Sequence, residues 1–237
     1  MTTDMSNSIP EDVITEKPGD RLPPISREQI IAALDYAVLK PDARLEDVTT
    51  AARVVEELGA ASICVASYNV AVAKQITPRV CSVIGFPHGN TSPDIKFAEA
   101  RAALENGAVE LDVVINYGRL LEGREVVVVQ ELGRIIHLAH SKKALVKAIL
   151  ETWYYQPGQI VDACRLCVDC GVDFVKTSTG FGPGGATPWA VELMLEAVEG
   201  AAQVKASGGI KTCADASLYL GLGCTRLGSS RYRELLP

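Results

Sequence analysis

The chain has 237 residues, nearly half of them apolar, and a net charge of -6. That balance argues against a nucleic-acid or acidic-membrane surface, while the length suits one closed α/β barrel of ~250 residues. The seven cysteines are odd in number and scattered through a mid-sized chain, the usage expected of a reducing cytoplasm.

Residues 1–25 lack a basic segment followed by an apolar one, so they read as a disordered polar leader and not as a signal or anchor. No later apolar run is long enough to span a bilayer. From Ser26, which makes a capping box with Gln29, the chain alternates strand-like and helix-like segments to its end. A helix over 26–34 leads into a short strand at 34–37, followed by a helix at 44–58 that Gly59 ends. Next come a strand at 61–65, a helix at 70–76, a strand at 80–86 and a helix at 95–105 that stops at Asn106-Gly107. A strand at 110–116, a long helix at 123–139 and a strand at 144–150 follow. The remaining units are a cysteine-bearing helix, strands at 173–179, 203–207 and 226–229, and helices at 188–199 and 214–222. Eight such units predict a single-domain (β/α)8 TIM barrel over 26–237.

Three lysines, Lys147, Lys176 and Lys205, recur at a spacing of 29 residues, each inside a short apolar run that reads as a buried strand. Burying an ammonium is costly, so each needs an anion or must give up its proton, and a neutral lysine amine is what attack on a carbonyl requires. Strand parity turns Phe174 and Ser178 inward with Lys176, Asp112 and Asn116 inward on 110–116, and brings Glu151 to the same end. Lys147 with Glu151 reads as a structural ion pair. Asp112 reads either as a proton carrier or as the partner of Lys147 or Lys205.

Cys164, Cys167 and Cys170 have a spacing seen in metal clusters, but they lie on a helical pattern that turns Cys164 and Cys167 to the core. No His/Cys/carboxylate group shows metal-ligand spacing along the chain. His88 reads as a turn residue between Pro87 and Gly89, His137 and His140 as complements to a helix C-terminus, and Trp153 and Trp189 as packing residues.

The segments Asp173–Phe181 (DFVKTSTGF), Val204–Thr212 (VKASGGIKT), Glu110–Asn116 (ELDVVIN), Val83–Asn90 (VIGFPHGN) and Arg226–Ser230 (RLGSS) resemble the 2-deoxyribose-5-phosphate aldolase family, in order and over nearly the whole folded part. The resemblance implies a metal-free and cofactor-free class I aldolase that cleaves 2-deoxy-D-ribose 5-phosphate to D-glyceraldehyde 3-phosphate and acetaldehyde. By position it makes Lys176 the Schiff-base lysine, Lys205 the second lysine and Asp112 the proton-relay carboxylate.

In this barrel fold the phosphate is expected at the loops after the last two strands, so Gly208, Gly209, Gly228, Ser229 and Ser230, with Gly180 and Lys211, are its expected partners. The chain departs from the family at Tyr36-Ala37, which follows the retained Asp35, and at Ala66-Ser67. These changes bear on substrate preference more than on imine formation. The expected partners are small sugar phosphates and aldehydes, not nucleic acid or membrane, with a homo-oligomer left open. A related lysine aldolase using another acceptor, and a non-catalytic sugar-phosphate-binding barrel, are the alternatives.

Overall fold

The computed structural model describes residues 24–237, so the expected leader lies outside the described residues except for Pro24 and Ile25, and Ile25 packs against the core. Eight parallel strands close into a barrel in chain order, with β8 pairing back onto β1. The strands are β1 Leu34–Val38, β2 Ser62–Ala66, β3 Val80–Ile84, β4 Glu110–Val114, β5 Leu145–Ile149, β6 Phe174–Lys176, β7 Gln203–Ser207 and β8 Arg226–Ser229. Around them lie α1 Arg27–Ala33, α2 Leu45–Leu58, α3 Val70–Lys74, α4 Pro93–Glu105, α5 Tyr117–Leu121 and α6 Glu125–Ser141. The ring is completed by α7 Pro157–Cys170, α8 Pro188–Val198, α9 Cys213–Leu222 and α10 Tyr232–Leu235. Among the described residues no helix is long and apolar enough to cross a membrane.

Local chemistry explains the boundaries. Ser26 and Gln29 close a reciprocal capping box at α1, and Thr212 with Asp215 does the same at α9. Pro157 and Pro188 open α7 and α8, where a missing N–H costs nothing, and Gly59 and Gly171 end α2 and α7 in the left-handed region. Strands β3 and β4 are buried along their whole length because helices cover the barrel outside and side chains fill it inside.

Four strands, β3, β4, β5 and β6, are shorter than expected, and at two of them a polar side chain replaces the ladder. β4 stops at Val114, and Asn116 turns out of the barrel to cap α5, accepting the Arg119 N–H, so strand parity does not carry it inward. β6 stops at Lys176. The Thr177 hydroxyl then takes over the joining of strands, donating to the Ser207 carbonyl and accepting the Ser207 N–H at 2.9 and 3.0 Å.

One buried charge pair lies outside the barrel. Lys96 on α4 is fully buried and donates to Glu131 of α6 at 2.7 Å and to the Val114 carbonyl at 2.8 Å. Its stem lies against Gly85, where a Cβ would come within 2.7 Å of Lys96 Cε. The ammonium thereby ties down the end of the strand that carries Asp112. Nothing in its sequence setting separates Lys96 from an ordinary solvated helix lysine. The tryptophans depart from the packing role expected of them: Trp153 covers Gly184 but remains 60% exposed, and Trp189 is about half exposed. His140 joins Asp173, which also accepts the Val146 N–H, so it ties α6 to the start of β6.

Candidate active site

A pocket of about 920 Å³ opens at the carboxyl ends of the strands. Lys176 and Lys205 reach its floor from β6 and β7, neighbours whose register sets the two lysines side by side. Lys147 stands on β5 in register with Asp112 on β4. All three lysines are at most 3% exposed, so each must find an anion or lose its charge.

Asp112 is the hub of this arrangement. Its Oδ2 accepts from Lys176 Nζ at 2.7 Å and from Lys205 Nζ at 2.6 Å, and its Oδ1 accepts from Lys147 Nζ at 2.8 Å and from the Cys81 thiol at 3.1 Å. Two further carboxylates complete the network, one from β1 across the barrel and one from β4 itself. Asp35 on β1 accepts from Lys205, from Arg226 at 2.6 Å and from the Ser62 hydroxyl at 2.7 Å. Glu110 on β4 accepts from Lys147 and from Arg226. Phe174 closes the floor, its ring facing Arg226 and Lys147 with centroid distances of 5.3 and 5.8 Å.

The charges fall into order once counted. Three carboxylates (Asp35, Glu110, Asp112) face four basic groups (Lys147, Lys176, Lys205, Arg226), so one base can be neutral with every carboxylate still compensated. Burial alone would raise the Asp112 carboxyl, but the ammonium groups of Lys147, Lys176 and Lys205 outweigh it and hold it well below the usual range. Asp35 is held low in the same way against burial, chiefly by Lys205 and Lys147. Burial would lower Lys205 and Lys147, yet Asp112 and the other carboxylates push both above the ordinary lysine range. Those two therefore remain ammonium, and of the three lysines Lys176 and Lys205 line the pocket while Lys147 does not.

The expected pairing of Lys147 with Glu151 does not form. Glu151 adopts a left-handed backbone conformation just past β5 and turns its carboxylate to the hydroxyl and N–H of Thr179, while Lys147 pairs with Glu110 and Asp112. The 144–150 strand parity fails there because β5 has already ended at Ile149. Ser178 is buried as expected, and its hydroxyl has no hydrogen-bond partner among the described residues.

The glycine and serine residues chosen for an anion all line the pocket: Gly180, Gly208, Gly209, Gly228, Ser229 and Ser230, with Lys211. Gly208 and Gly209 both sit at a φ of 83°, open to glycine with little strain. A Cβ at Gly185 would come within 2.3 Å of the Gly208 carbonyl oxygen, so the two loops meet backbone to backbone. The Ser229 hydroxyl is already engaged, donating to the Ile210 carbonyl and accepting the Arg231 N–H. Ser230, Lys211 and Arg231 are exposed polar groups of the pocket wall.

Glu110, Arg226 and the thiols of Cys64 and Cys81 belong to the site although no sequence pattern singles them out as a set. Cys64, Cys81 and Asp112 place one donor atom each within 4.8 Å of one another, a grouping that linear spacing does not reveal. Both Asp112 oxygens are taken up by lysines. Tyr36 and Ala37, where the chain departs from the family pattern, also line the pocket, and Tyr36 packs against Tyr232 with centroids 5.1 Å apart.

Comparison with known proteins points to one family of aldolases. Residues 29–219 match the DeoC/LacD family aldolase description. A protein of Carboxydothermus hydrogenoformans named deoxyribose-phosphate aldolase is 42% identical over 212 residues, 87% of this chain and 93% of that protein. A solved structure from Coccidioides immitis, described as a putative deoxyribose-phosphate aldolase, superposes with a TM-score of 0.83 at 37% identity, covering 88% of this chain and 84% of the other. Another, a deoxyribose phosphate aldolase from Aeropyrum pernix described as tetrameric, gives a TM-score of 0.80 at 33% identity over 89% and 90% of the two chains. With the family match and these relatives spanning most of its length, the chain belongs to the DeoC/LacD family of aldolases.

Proposed function

We propose that residues 26–237 form one aldolase barrel that reversibly cleaves 2-deoxy-D-ribose 5-phosphate into D-glyceraldehyde 3-phosphate and acetaldehyde, through an imine on Lys176. The observation that carries this reading is the single Asp112 oxygen shared by Lys176 and Lys205 at the pocket floor. The neutral Lys176 amine attacks the aldehyde carbon C1, and loss of water gives an iminium. The C3 hydroxyl then passes its proton toward the Asp112 carboxylate and the C2–C3 bond breaks. Its electron pair flows into the iminium to leave an enamine, and glyceraldehyde 3-phosphate departs. Protonation of the enamine at C2 and hydrolysis release acetaldehyde and the free lysine.

The proton needs a carrier whose charge state is set by neighbours. Lys205 is held as an ammonium by Asp112 and Asp35, so it can donate and be recharged through Asp112. Lys147, Glu110 and Arg226 support that pair from below. Gly180, Gly208, Gly209, Gly228, Ser229 and Ser230, with Lys211, receive the phosphate, mainly through backbone N–H groups since the Ser229 hydroxyl is engaged elsewhere. Cytoplasmic residence is supported by the odd number and scattered placement of the seven cysteines, and assembly of several copies by the tetrameric description of the relative from Aeropyrum pernix.

Borohydride added with acetaldehyde tests the reading. Reduction should fix a two-carbon adduct on Lys176, located by peptide mass mapping, and activity should persist in a strong chelator. An adduct confined to Lys147 or Lys205 would overturn the assignment of the nucleophile. Trapping on Lys176 without cleavage of deoxyribose 5-phosphate would point instead to another acceptor aldehyde, the reading that Tyr36 and Ala37 in the pocket wall favour.

The phosphate end gives a separate expectation. Lys211→Glu should raise KM for the phosphorylated sugar by roughly tenfold, as reversal of a unit charge a few ångströms from a phosphate at the pocket edge predicts. The same change should leave unphosphorylated deoxyribose within about twofold. Equal losses on both sugars would mean the phosphate is held elsewhere.

A further inference from the structure

The proposed reaction uses neither of the two thiols under the catalytic carboxylate. Cys64 on β2 and Cys81 on β3 are paired in the strand register, and both point into the barrel beside Asp112. Adjacent parallel strands lie about 4.8 Å apart, inside the Cα window of about 4.4–6.8 Å that a disulfide needs. The two sulfurs and an Asp112 oxygen lie within 4.8 Å of one another. Cys64 lines the substrate pocket, and Cys81 stands directly behind it. We infer that Cys64 and Cys81 form a peroxide-sensitive dithiol site, entered through the substrate pocket, whose oxidation to a disulfide switches off the lysine–carboxylate network above it.

The chemistry assigns an order to the two sulfurs. The Cys64 thiol is pulled below its ordinary range chiefly by a hydrogen bond with Cys81, against burial and the Asp112 charge and aided by the nearby lysines, whereas burial pushes Cys81 well up. Cys64 is also the one of the two that lines the pocket, so it meets hydrogen peroxide first and attacks one of its oxygens. The O–O bond breaks, one oxygen stays on sulfur as a sulfenic acid, and the other leaves as water with the thiol proton. The Cys81 sulfur then attacks the Cys64 sulfur and expels hydroxide, which takes up the Cys81 proton as a second water. Two thiols lose two electrons and one peroxide gains them.

The product changes the site directly. A sulfur–sulfur bond of about 2.05 Å removes the S–H that Cys81 donates to Asp112 Oδ1, and it draws the Cys81 sulfur, 3.4 Å from Lys147 Nζ, toward β2. Asp112 then loses one of the contacts that fix its position between Lys176 and Lys205. The other buried cysteines lack this setting. Cys164 and Cys167 sit in the apolar layer under α7, and burial pushes the Cys164 thiol up to about 12.

Trypsin separates the two residues, because Lys74 and Arg79 lie between them and the peptides Val54–Lys74 and Val80–Lys96 carry one cysteine each. The full-length protein is treated with graded hydrogen peroxide, quenched with catalase, alkylated and mapped by mass. The two peptides should appear joined, with loss of two hydrogens, in step with at least a tenfold fall in aldol cleavage, and dithiothreitol should restore both. In Cys81→Ala the joined peptides should be missing and Cys64 should take up two oxygens that dithiothreitol does not remove. Cys64 and Cys81 remaining reduced while the partly buried Cys170 and Cys213 are oxidised would overturn the site. A disulfide formed without loss of activity would overturn the coupling. The disulfide is read by mass without turnover, so an error in the proposed substrate leaves that arm standing.

Discussion

Lys176→Ala should lower kcat for aldol cleavage by about 10⁴-fold or more, because no other amine at the pocket floor can take over the covalent step. The fold should hardly notice the change. Without Lys176, three carboxylates still face three cations, and Asp112 retains Lys147 and Lys205 at 2.8 and 2.6 Å. The loss of stability should stay within about 1–2 kcal/mol, the ordinary cost of a truncation that strands no charge. Steady-state kinetics and a thermal unfolding curve on the same preparation check both halves. A variant within tenfold of wild type would move the nucleophile elsewhere, and a variant that fails to fold would mean Lys176 carries a charge the network cannot spare.

The contrast between the pocket residues and their supports shows what a linear pattern can carry. Lys176 and Lys205 are legible because each interrupts an apolar run, and the register that sets them side by side follows from consecutive parallel strands. Asp112 is legible for the same reason. Lys147 illustrates the limit, since its lysine was visible but its partner was not. Glu151 is four residues away in sequence and lies beyond the end of β5, whereas Glu110 and Asp35 reach Lys147 from strands β4 and β1. Partners of that kind are fixed by the closure of the barrel and the depth of each residue within it, neither of which local periodicity encodes. Arg226 shows the same thing from the far edge, since it meets Asp35 only because β8 pairs back onto β1. Strands β4 and β6 end before their apolar pattern does because polar side chains, Asn116 and Thr177, replace the ladder with bonds of their own.

The same charge count predicts the opposite outcome for Asp112→Asn, an isosteric change at the hub. Two carboxylates would then face four bases, and at least one buried ammonium would have no anion. Removing one partner of a buried charge network costs about 3–5 kcal/mol, which for a domain of this size is a fall in Tm of roughly 10 °C. Cleavage should drop by a further 10²–10⁴-fold, about the contribution of a positioned proton carrier.

The pH dependence distinguishes lost charge from lost shape. In the wild type the depressed carboxyls of Asp112 and Asp35 contribute stability that is complete above an ordinary carboxyl pKa of about 4, and that is lost as pH falls through their lower folded values. The raised Lys147 and Lys205 contribute stability that is complete below about 10.4 and lost as pH rises through their folded values. These groups thus give a plateau between roughly pH 5 and 10. Asp112→Asn should tilt that plateau upward with pH, because the surplus buried cation binds fewer protons in the folded state than in the unfolded one, and relief comes as it deprotonates. Unfolding by urea at several pH values across this range reads the slope. A variant destabilised equally at every pH would mean that Asp112 acts through its shape and hydrogen bonds, and that its charge does not hold the lysines in place.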